Sequence, residues 1–181
     1  MNLRGTLYLL DTIHQRLSKR HVYSTDVLRL TIQLRHLIVN FHRYVMENVI
    51  GKEADTFDKA MQSAKTIDDI IKCHSRFLRH VSRYCLISNE QLWRLLHGKV
   101  STIMNLVFPL LRLVRDFENA NWILCEEISS RLVKLDEECA RHITSLLRLL
   151  HKQAQIASTS SLSISLLLFL DFNGFYLKGL S

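Results

Sequence analysis

Residues that could perform chemistry are present, but their spacing does not bring them together. Cys73, His74 and Cys85 are the most plausible metal ligands, yet His74 and Cys85 are 11 residues apart. On a helix that is about 16 Å along the axis, too far for one ion without a bend, and the sequence has no Cys-x-x-Cys pair. We therefore expect no metal and no cofactor. Cys73 and Cys85 are predicted to be buried thiols, and His74 a hydrogen-bonded core histidine.

Recognisable catalytic arrangements are also missing from the sequence. It contains no Gly-rich phosphate-binding loop and no His-Glu-x-x-His segment. No Glu lies three residues before a His, as a di-iron bundle would require. Adjacent carboxylates such as Asp68 and Asp69 point about 100° apart on a helix and do not converge on a substrate. The sequence predicts a protein that is not an enzyme and has no small-molecule substrate.

Positive charge is concentrated near the N-terminus. The formal net charge is +7, and residues 1–52 hold eight Lys and Arg against three Asp and Glu. Such a segment indicates an acidic partner, which could be nucleic acid, an anionic membrane or an acidic protein, or else a solvated helix face. No nucleic-acid-binding signature accompanies the charge, so nucleic acid is not the expected partner. The basic residues and nearby tyrosines are Arg16, Lys19, Arg20, His21, Tyr23, Arg29, Arg35, Arg43 and Tyr44.

Composition favours long helices over sheets. The 181 residues include 32 leucines but only five glycines and one proline, and the turns of a many-stranded fold consume glycine and proline. Apolar residues recur at spacings of three and four in every long segment. The sequence therefore predicts an all-α fold, an antiparallel bundle of about six or seven helices forming a single domain over residues 1–181. No segment has the length and apolar content of a membrane span.

Capping and breaking residues predict where helices begin and end. Thr66 and Asp69 are spaced as a capping box at a helix start. Gly51 is placed to end the helix before it. Pro109 lacks an N–H group and predicts a break near Leu106–Phe108.

Two further expectations concern the second half of the chain and the core. We expect a long helix over about residues 122–157, followed by a polar loop or frayed helix end over 158–165. The apolar stripes of the two helices that contain Phe41 and Phe77 predict that these rings meet across the core. Each ring would then be fully buried, and its truncation would leave a large cavity.

Two stretches of sequence resemble a known family. One is Ala64–Leu78, AKTIDDIIKCHSRFL, which follows a helix containing Leu34-Arg35-His36, Phe41 and Tyr44. The other is Leu170–Tyr176, LDFNGFY. Over about residues 30–176 the chain resembles the C-terminal domain of gamma-tubulin complex components, the GRIP-motif family. Within that family it is most similar to the component-five branch.

This resemblance implies a non-enzymatic scaffold. The family's C-terminal domain is a helical bundle that binds gamma-tubulin, and members assembled side by side template microtubule nucleation. The implied partners are gamma-tubulin and other gamma-tubulin complex components, in the cytoplasm and cytoskeleton at microtubule-organising centres such as the spindle pole. Candidate partner contacts are Leu170, Asp171, Phe172, Asn173, Tyr176, Arg35 and His36.

The sequence also departs from the family's pattern. Members are several times longer and carry an N-terminal domain for lateral assembly, which is not found in this sequence. The polar run Ser158–Ser161 precedes the closing LDFN stretch. We therefore expect the chain alone to bind gamma-tubulin weakly or not at all, and not to nucleate microtubules. Two other classes stay open: a helical subunit of a tethering or trafficking complex, and a basic bundle that binds nucleic acid non-specifically.

Overall fold

The computed structural model describes residues 2–18, 25–85, 87, 89–123, 125–156 and 160–171. Within these ranges the chain forms eight α-helices and one π-helical segment and no strand, which confirms the all-α prediction. The helices are α1 (Leu3–Ser18), α2 (Thr25–Arg43), the π-helical segment (Tyr44–Gly51), α3 (Lys52–Ser63), α4 (Ile67–Tyr84), α5 (Glu90–Asn105), α6 (Val107–Asn119), α7 (Glu126–Ala154) and α8 (Ser160–Leu170).

Helix α2 lies at the centre of the bundle, because it contacts α1, α5, α6, α7 and α8. Its buried residues recur at spacings of three and four: Val27, Leu30, Thr31, Leu34, Leu37 and Ile38. Helix α7 packs against α2, α5, α6 and α8 and buries a stripe from Ile128 to Leu150. Each fully buried Leu or Ile contributes roughly 1.5–3 kcal/mol, so these stripes hold the bundle together.

The predicted break near Pro109 is confirmed. Helix α5 ends at Asn105 and α6 begins at Val107, with Leu106 between them. This places Pro109 in the first turn of α6, where a backbone N–H would have no intrahelical acceptor. The proline therefore fits the start of α6 and separates it from α5.

The predicted helix end at Gly51 is wrong. Helix α2 continues through the π-helical segment directly into α3, and Gly51 has helical angles of φ −59° and ψ −50°. The Met46 carbonyl oxygen lies 3.3 Å from the position that a Cβ on residue 51 would occupy. Glycine therefore suits this position because of its small size, and the wide π turn brings a carbonyl close to it.

Helices α3 and α4 form a hairpin outside the bundle core. Neither helix contains a buried residue, and the two pack mainly against each other and the π-helical segment. The predicted capping box at the start of α4 is confirmed. Asp69 N–H donates to the Thr66 hydroxyl oxygen at 3.2 Å, and Thr66 N–H donates to the Asp69 carboxylate at 3.1 Å.

Phe41 and Phe77 do not meet across the core, so that prediction is wrong. Phe41 is half-buried against the bundle core, whereas the Phe77 ring lies 5.3 Å from that of Phe57 inside the hairpin. His74 is also not a core histidine, because it is exposed and its ring lies 6.3 Å from that of Phe57. Helix α4 has the apolar periodicity of a core helix but does not enter the core.

The four cysteines are free thiols in different surroundings. Cys139 on α7 is buried, and burial is the main cause that raises the pKa of its thiol to about 12. Burial also raises the pKa of Cys85. Cys73 and Cys85 are half-buried rather than buried as predicted, because they belong to the α3–α4 hairpin and its base, while Cys125 is exposed.

Two helix starts differ from the predictions. Helix α7 begins at Glu126 rather than at 122, because Asn121 and Trp122 have φ of 52° and 63° and cannot belong to a right-handed helix. Helix α8 begins at Ser160, inside the stretch 158–165 predicted to be a loop, of which residues 158 and 159 lie outside the described ranges. Its packing on α7 and α2 outweighs the modest helix preference of serine.

Candidate partner interface

The predicted partner contacts lie on α2 and at the end of α8, which pack against each other in the bundle. Arg35 and His36 are exposed, because they fall between the buried residues Leu34 and Leu37. Leu170 is buried at the end of α8, and Asp171 directly after it is also buried. The remaining candidates lie outside the described residues: Phe172, Asn173 and Tyr176.

Helix α8 has a buried face and an exposed apolar face. Ser163, Leu166 and Leu170 are buried at spacings of three and four. Ile164 and Leu168 are one turn apart and 44% and 58% exposed. Since Leu170 is turned into the core, Leu168 is the side chain that a partner could reach. Sequence reasoning missed it because this end of α8 is apolar on all sides, and periodicity then cannot identify the exposed face.

A surface depression lies between the two helices. It has a volume of about 420 Å³ and is lined by His36, Asn40, Leu168 and Phe169. The Asn40 amide nitrogen lies 3.0 Å from His36 Nε2 and donates to it when that ring nitrogen carries no proton. The depression therefore combines two apolar side chains with an imidazole and an amide, the mixture found at protein interfaces.

The depression is supported from below by Tyr44 of the π-helical segment. The ring of Phe169 packs against that of Tyr44, with centroids 5.7 Å apart and planes at 62°. Tyr44 is buried, and its hydroxyl donates to the Tyr84 carbonyl oxygen at 3.1 Å. Burial is the main cause that raises the pKa of Tyr44 to about 12. The hydroxyl therefore stays protonated and links the depression to the base of the α3–α4 hairpin.

Four of the five arginines that the structure describes in residues 1–52 are paired with carboxylates, and Arg4 is exposed without an ion pair in the described part of the chain. Arg35 Nε lies 2.7 Å from Asp11 Oδ1, and both side chains are about half exposed. Three further pairs join Arg16 to Glu118, Arg29 to Asp136 and Arg43 to Glu47. The predicted basic residues Lys19, Arg20 and His21, and the nearby Tyr23, lie outside the described ranges. The described part of this segment gives no support to a nucleic-acid interface.

Two other kinds of site are not formed by the residues that the structure describes. There, no group of three or more His, Cys, Asp or Glu side chains is placed to hold a metal ion. No helix in those same ranges combines the length and apolar character needed to cross a membrane. What the depression offers chemically is hydrogen bonding and apolar contact, which suits recognition of another protein.

The family described as gamma tubulin complex component C-terminal matches residues 1–176. The chain therefore belongs to this family, and the match extends the resemblance found in the sequence to include α1.

Curated relatives match about half of the chain. Gamma-tubulin complex component 3 of Arabidopsis thaliana is 25% identical over 87 residues, which are 48% of this chain and 9% of that protein. Gamma-tubulin complex component 5 of Macaca fascicularis is 27% identical over 88 residues, 49% of this chain and 11% of that protein. Component 5 of Mus musculus gives 27% over 88 residues, 49% of this chain and 8% of that protein. The matched part is thus about a tenth of each relative.

Proposed function

We propose that this chain is a gamma-tubulin-binding scaffold segment of the gamma-tubulin complex, acting in microtubule nucleation. The observation that carries the proposal is the family match over residues 1–176. The matched relatives are themselves named as gamma-tubulin complex components. The proposed partners are gamma-tubulin and other components of the complex, in the cytoplasm and cytoskeleton at microtubule-organising centres. In this role the chain performs no catalysis.

The proposed contact for gamma-tubulin is the depression between α2 and α8. It contains His36 from the predicted contact set, and Leu168 and Phe169 directly precede two more predicted contacts. Only four residues line the depression, whereas a stable interface uses roughly 20–30 residues a side. We therefore expect the isolated chain to bind gamma-tubulin in the micromolar range, and not to nucleate microtubules above a control containing gamma-tubulin alone.

The test is a binding titration of purified gamma-tubulin with the full chain and two matched variants. Leu168→Glu places a charge in the depression, where Leu168 is 58% exposed. Val133→Glu places the same charge on α7 at a site that is 54% exposed and does not line the depression. Loss of about 1.4 kcal/mol of contact weakens binding about tenfold, and we expect this for Leu168→Glu but not for Val133→Glu.

The outcomes test the proposed function and the proposed binding site separately. Absence of binding by the unmodified chain at high micromolar concentration would reject the proposed function. Binding that both variants weaken equally would keep the function and reject the depression as its site. A nucleation assay with the same proteins checks the second expectation, and microtubule number above the gamma-tubulin control would contradict it.

A further inference from the structure

Helix α4 carries an apolar stripe that the described residues leave uncovered. Ile67, Ile70, Ile71 and Leu78 are 75%, 43%, 57% and 49% exposed. Their spacings of three, four and seven place them on one side of the helix. Phe77 occupies the neighbouring side, which faces α3. The exposed His74 lies between Ile71 and Leu78 on the same side. An exposed apolar stripe of this kind is typical of a protein contact surface.

Positive charge lies beside this stripe. Helix α4 has four Lys and Arg residues against two carboxylates, Asp68 and Asp69, which both lie in its first turn. Arg79 follows Leu78 and lies about 100° around the helix from it, with Arg83 one turn further on, whereas Lys72 and Arg76 line the groove that faces α3. None of the three arginines belongs to an ion pair in the described part of the chain. Their charges are available to a partner.

The stripe leads to an apolar groove at the base of the hairpin. Val81 and Cys85 continue the helical spacing and pack against the bundle core. Cys85 also lines a groove of about 290 Å³ between the hairpin and α5, whose other walls include Phe41, Trp93 and Val100. The distance from Ile67 to Cys85 is about 27 Å along a helix axis. The surface thus combines an apolar stripe about five helical turns long with a groove that can hold one bulky apolar side chain.

We propose that α4 and this groove bind an acidic amphipathic helix of a partner protein. The apolar face of that helix would lie along the stripe, and one bulky side chain would enter the groove. Carboxylates on one flank would face Arg79 and Arg83. This is the helix-in-groove mode of recognition, in which complementary charge fixes the orientation and speeds association. The proposal goes beyond gamma-tubulin binding, because it uses a surface separate from the depression between α2 and α8.

Two other occupants fit the charges less well. A second copy of the chain, stripe to stripe, would bring the basic flanks of two α4 helices together. An anionic membrane would favour cations on both flanks of the stripe. Here one flank is occupied by α3, whose exposed carboxylates Asp55 and Asp58 would be repelled by such a surface. A partner helix with carboxylates on one flank matches the one-sided arrangement.

Three synthetic helical peptides labelled with fluorescein test the proposal. The first has leucines on one face, one tryptophan for the groove and glutamates on a flank. The second has lysines in place of the glutamates, and the third has serines in place of the leucines. In fluorescence anisotropy with the full chain, we expect the glutamate peptide to bind at least about tenfold more tightly than either control. Equal binding of the glutamate and lysine peptides would overturn the proposal.

Paired variants identify the surface. The double variant Ile71→Glu/Leu78→Glu alters exposed stripe residues, and Val133→Glu is its control on α7. Arg79→Glu/Arg83→Glu reverses the flanking charge, and Arg141→Glu is the control for a single exposed cation outside α4. We expect the stripe variant to weaken binding about tenfold or more and the charge variant to favour the lysine peptide, while both controls stay within twofold. Equal effects of variants and controls would overturn the assignment.

Competing occupants and the proposed function are tested with the same proteins. Flotation with phosphatidylserine–phosphatidylcholine vesicles that is lost in the stripe variant would make a membrane the occupant and overturn the proposal. A dimer that is seen in sedimentation equilibrium and lost in the stripe variant would make a second copy of the chain the occupant, and would also overturn the proposal. Gamma-tubulin binding should be unchanged by Ile71→Glu/Leu78→Glu. A loss there would show that gamma-tubulin, and not a separate partner, uses the hairpin.

Discussion

Helices α2 and α4 have similar lengths and similar amphipathic patterns but different surroundings. Helix α2 has 19 residues and buries six of them, whereas α4 has 18 residues and buries none. In α2 the apolar face is enclosed by five other helices. In α4 the covered residues face α3 and, near Val81, the π-helical segment and the bundle, while Ile67 remains 75% exposed. An apolar helix face in a sequence therefore predicts that the face packs against another element, but not whether that element belongs to the same chain.

Charge differs between the two helices in the same way. Arg29, Arg35 and Arg43 in α2 all form ion pairs with carboxylates of the chain. In α4 the described residues provide no ion pair for Arg76 or Arg79. Exposed ion pairs contribute only about 0–1 kcal/mol each, so the pairs on α2 do little for stability. Because the arginines of α2 are already paired, α2 has less unpaired positive charge for a partner than α4.

The largest expected difference between bundle and hairpin is the cost of removing a phenylalanine. Phe117 on α6 is fully buried, and Phe117→Ala should reduce the free energy of unfolding by about 3–5 kcal/mol. Phe77 contacts Phe57 in the half-buried hairpin, and Phe77→Ala should cost about 1 kcal/mol or less globally. Urea denaturation followed by circular dichroism measures both values. Equal losses would show that the hairpin folds as part of the bundle core.

The reactivity of two thiols gives a second comparison. A thiol with a pKa of about 12 in place of its ordinary 9.0 holds about a thousandfold less thiolate at pH 8. Cys139 in the bundle should therefore react far more slowly with iodoacetamide than Cys73 in the hairpin, which is half-buried. Mass spectrometry of timed samples measures the two rates, with the urea-unfolded chain as reference. Similar rates in the folded chain would mean that α7 opens locally as easily as α4.

The sequence predicts local features of both regions but not how they are placed. The capping box at Thr66 and the break at Pro109 depend on a few neighbouring residues, and both predictions are correct. The error on Phe77 has a different origin, because the spacing of Ile67, Ile70 and Ile71 is the same as in a core helix. Whether such a face is buried depends on the direction in which the hairpin leaves α2, and here the hairpin packs on the π-helical segment outside the bundle core. Local spacing contains no information about that direction.

The candidate interface was also predictable only in part from the sequence. The resemblance identified His36 and the end of α8 as candidate contacts, without indicating that they are neighbours. Their approach depends on the packing of α8 against α2, which no local pattern determines. Leu168 was hidden by the apolar residues around it, and Asn40 has only its position one turn after His36 to indicate a shared face. The role of these residues in gamma-tubulin binding stays a prediction.

A smaller effect is expected from the helix cap of the hairpin. Removing the Thr66 hydroxyl in Thr66→Ala should cost about 1 kcal/mol, because the Asp69 N–H loses its acceptor. The matched control is Thr56→Ala in α3, whose hydroxyl donates to the Lys52 carbonyl oxygen within its own helix. That change should be close to neutral, since alanine has the higher helix propensity. Hydrogen exchange should locate the loss of protection in α4 and leave α2 unchanged; a loss spread over both helices would argue against a separate hairpin.

The smallest expected effect is a pH dependence confined to the start of α4. The hydrogen bond with the Thr66 side chain, followed by the backbone bonds from Lys65 and Thr66, holds the pKa of Asp69 below its ordinary 3.8. Because the folded-state pKa is the lower one, the carboxylate stabilises the folded helix start fully above the unfolded pKa. That contribution is lost as pH falls from about 3.8 through the folded value. Two-dimensional NMR of the Thr66 and Asp69 amides should show the start of α4 fraying in this window while the buried amides of α2 keep their shifts. Asp69→Asn should abolish the transition and Asp68→Asn should preserve it, and a transition shared by α2 would mean that acid weakens the whole bundle instead.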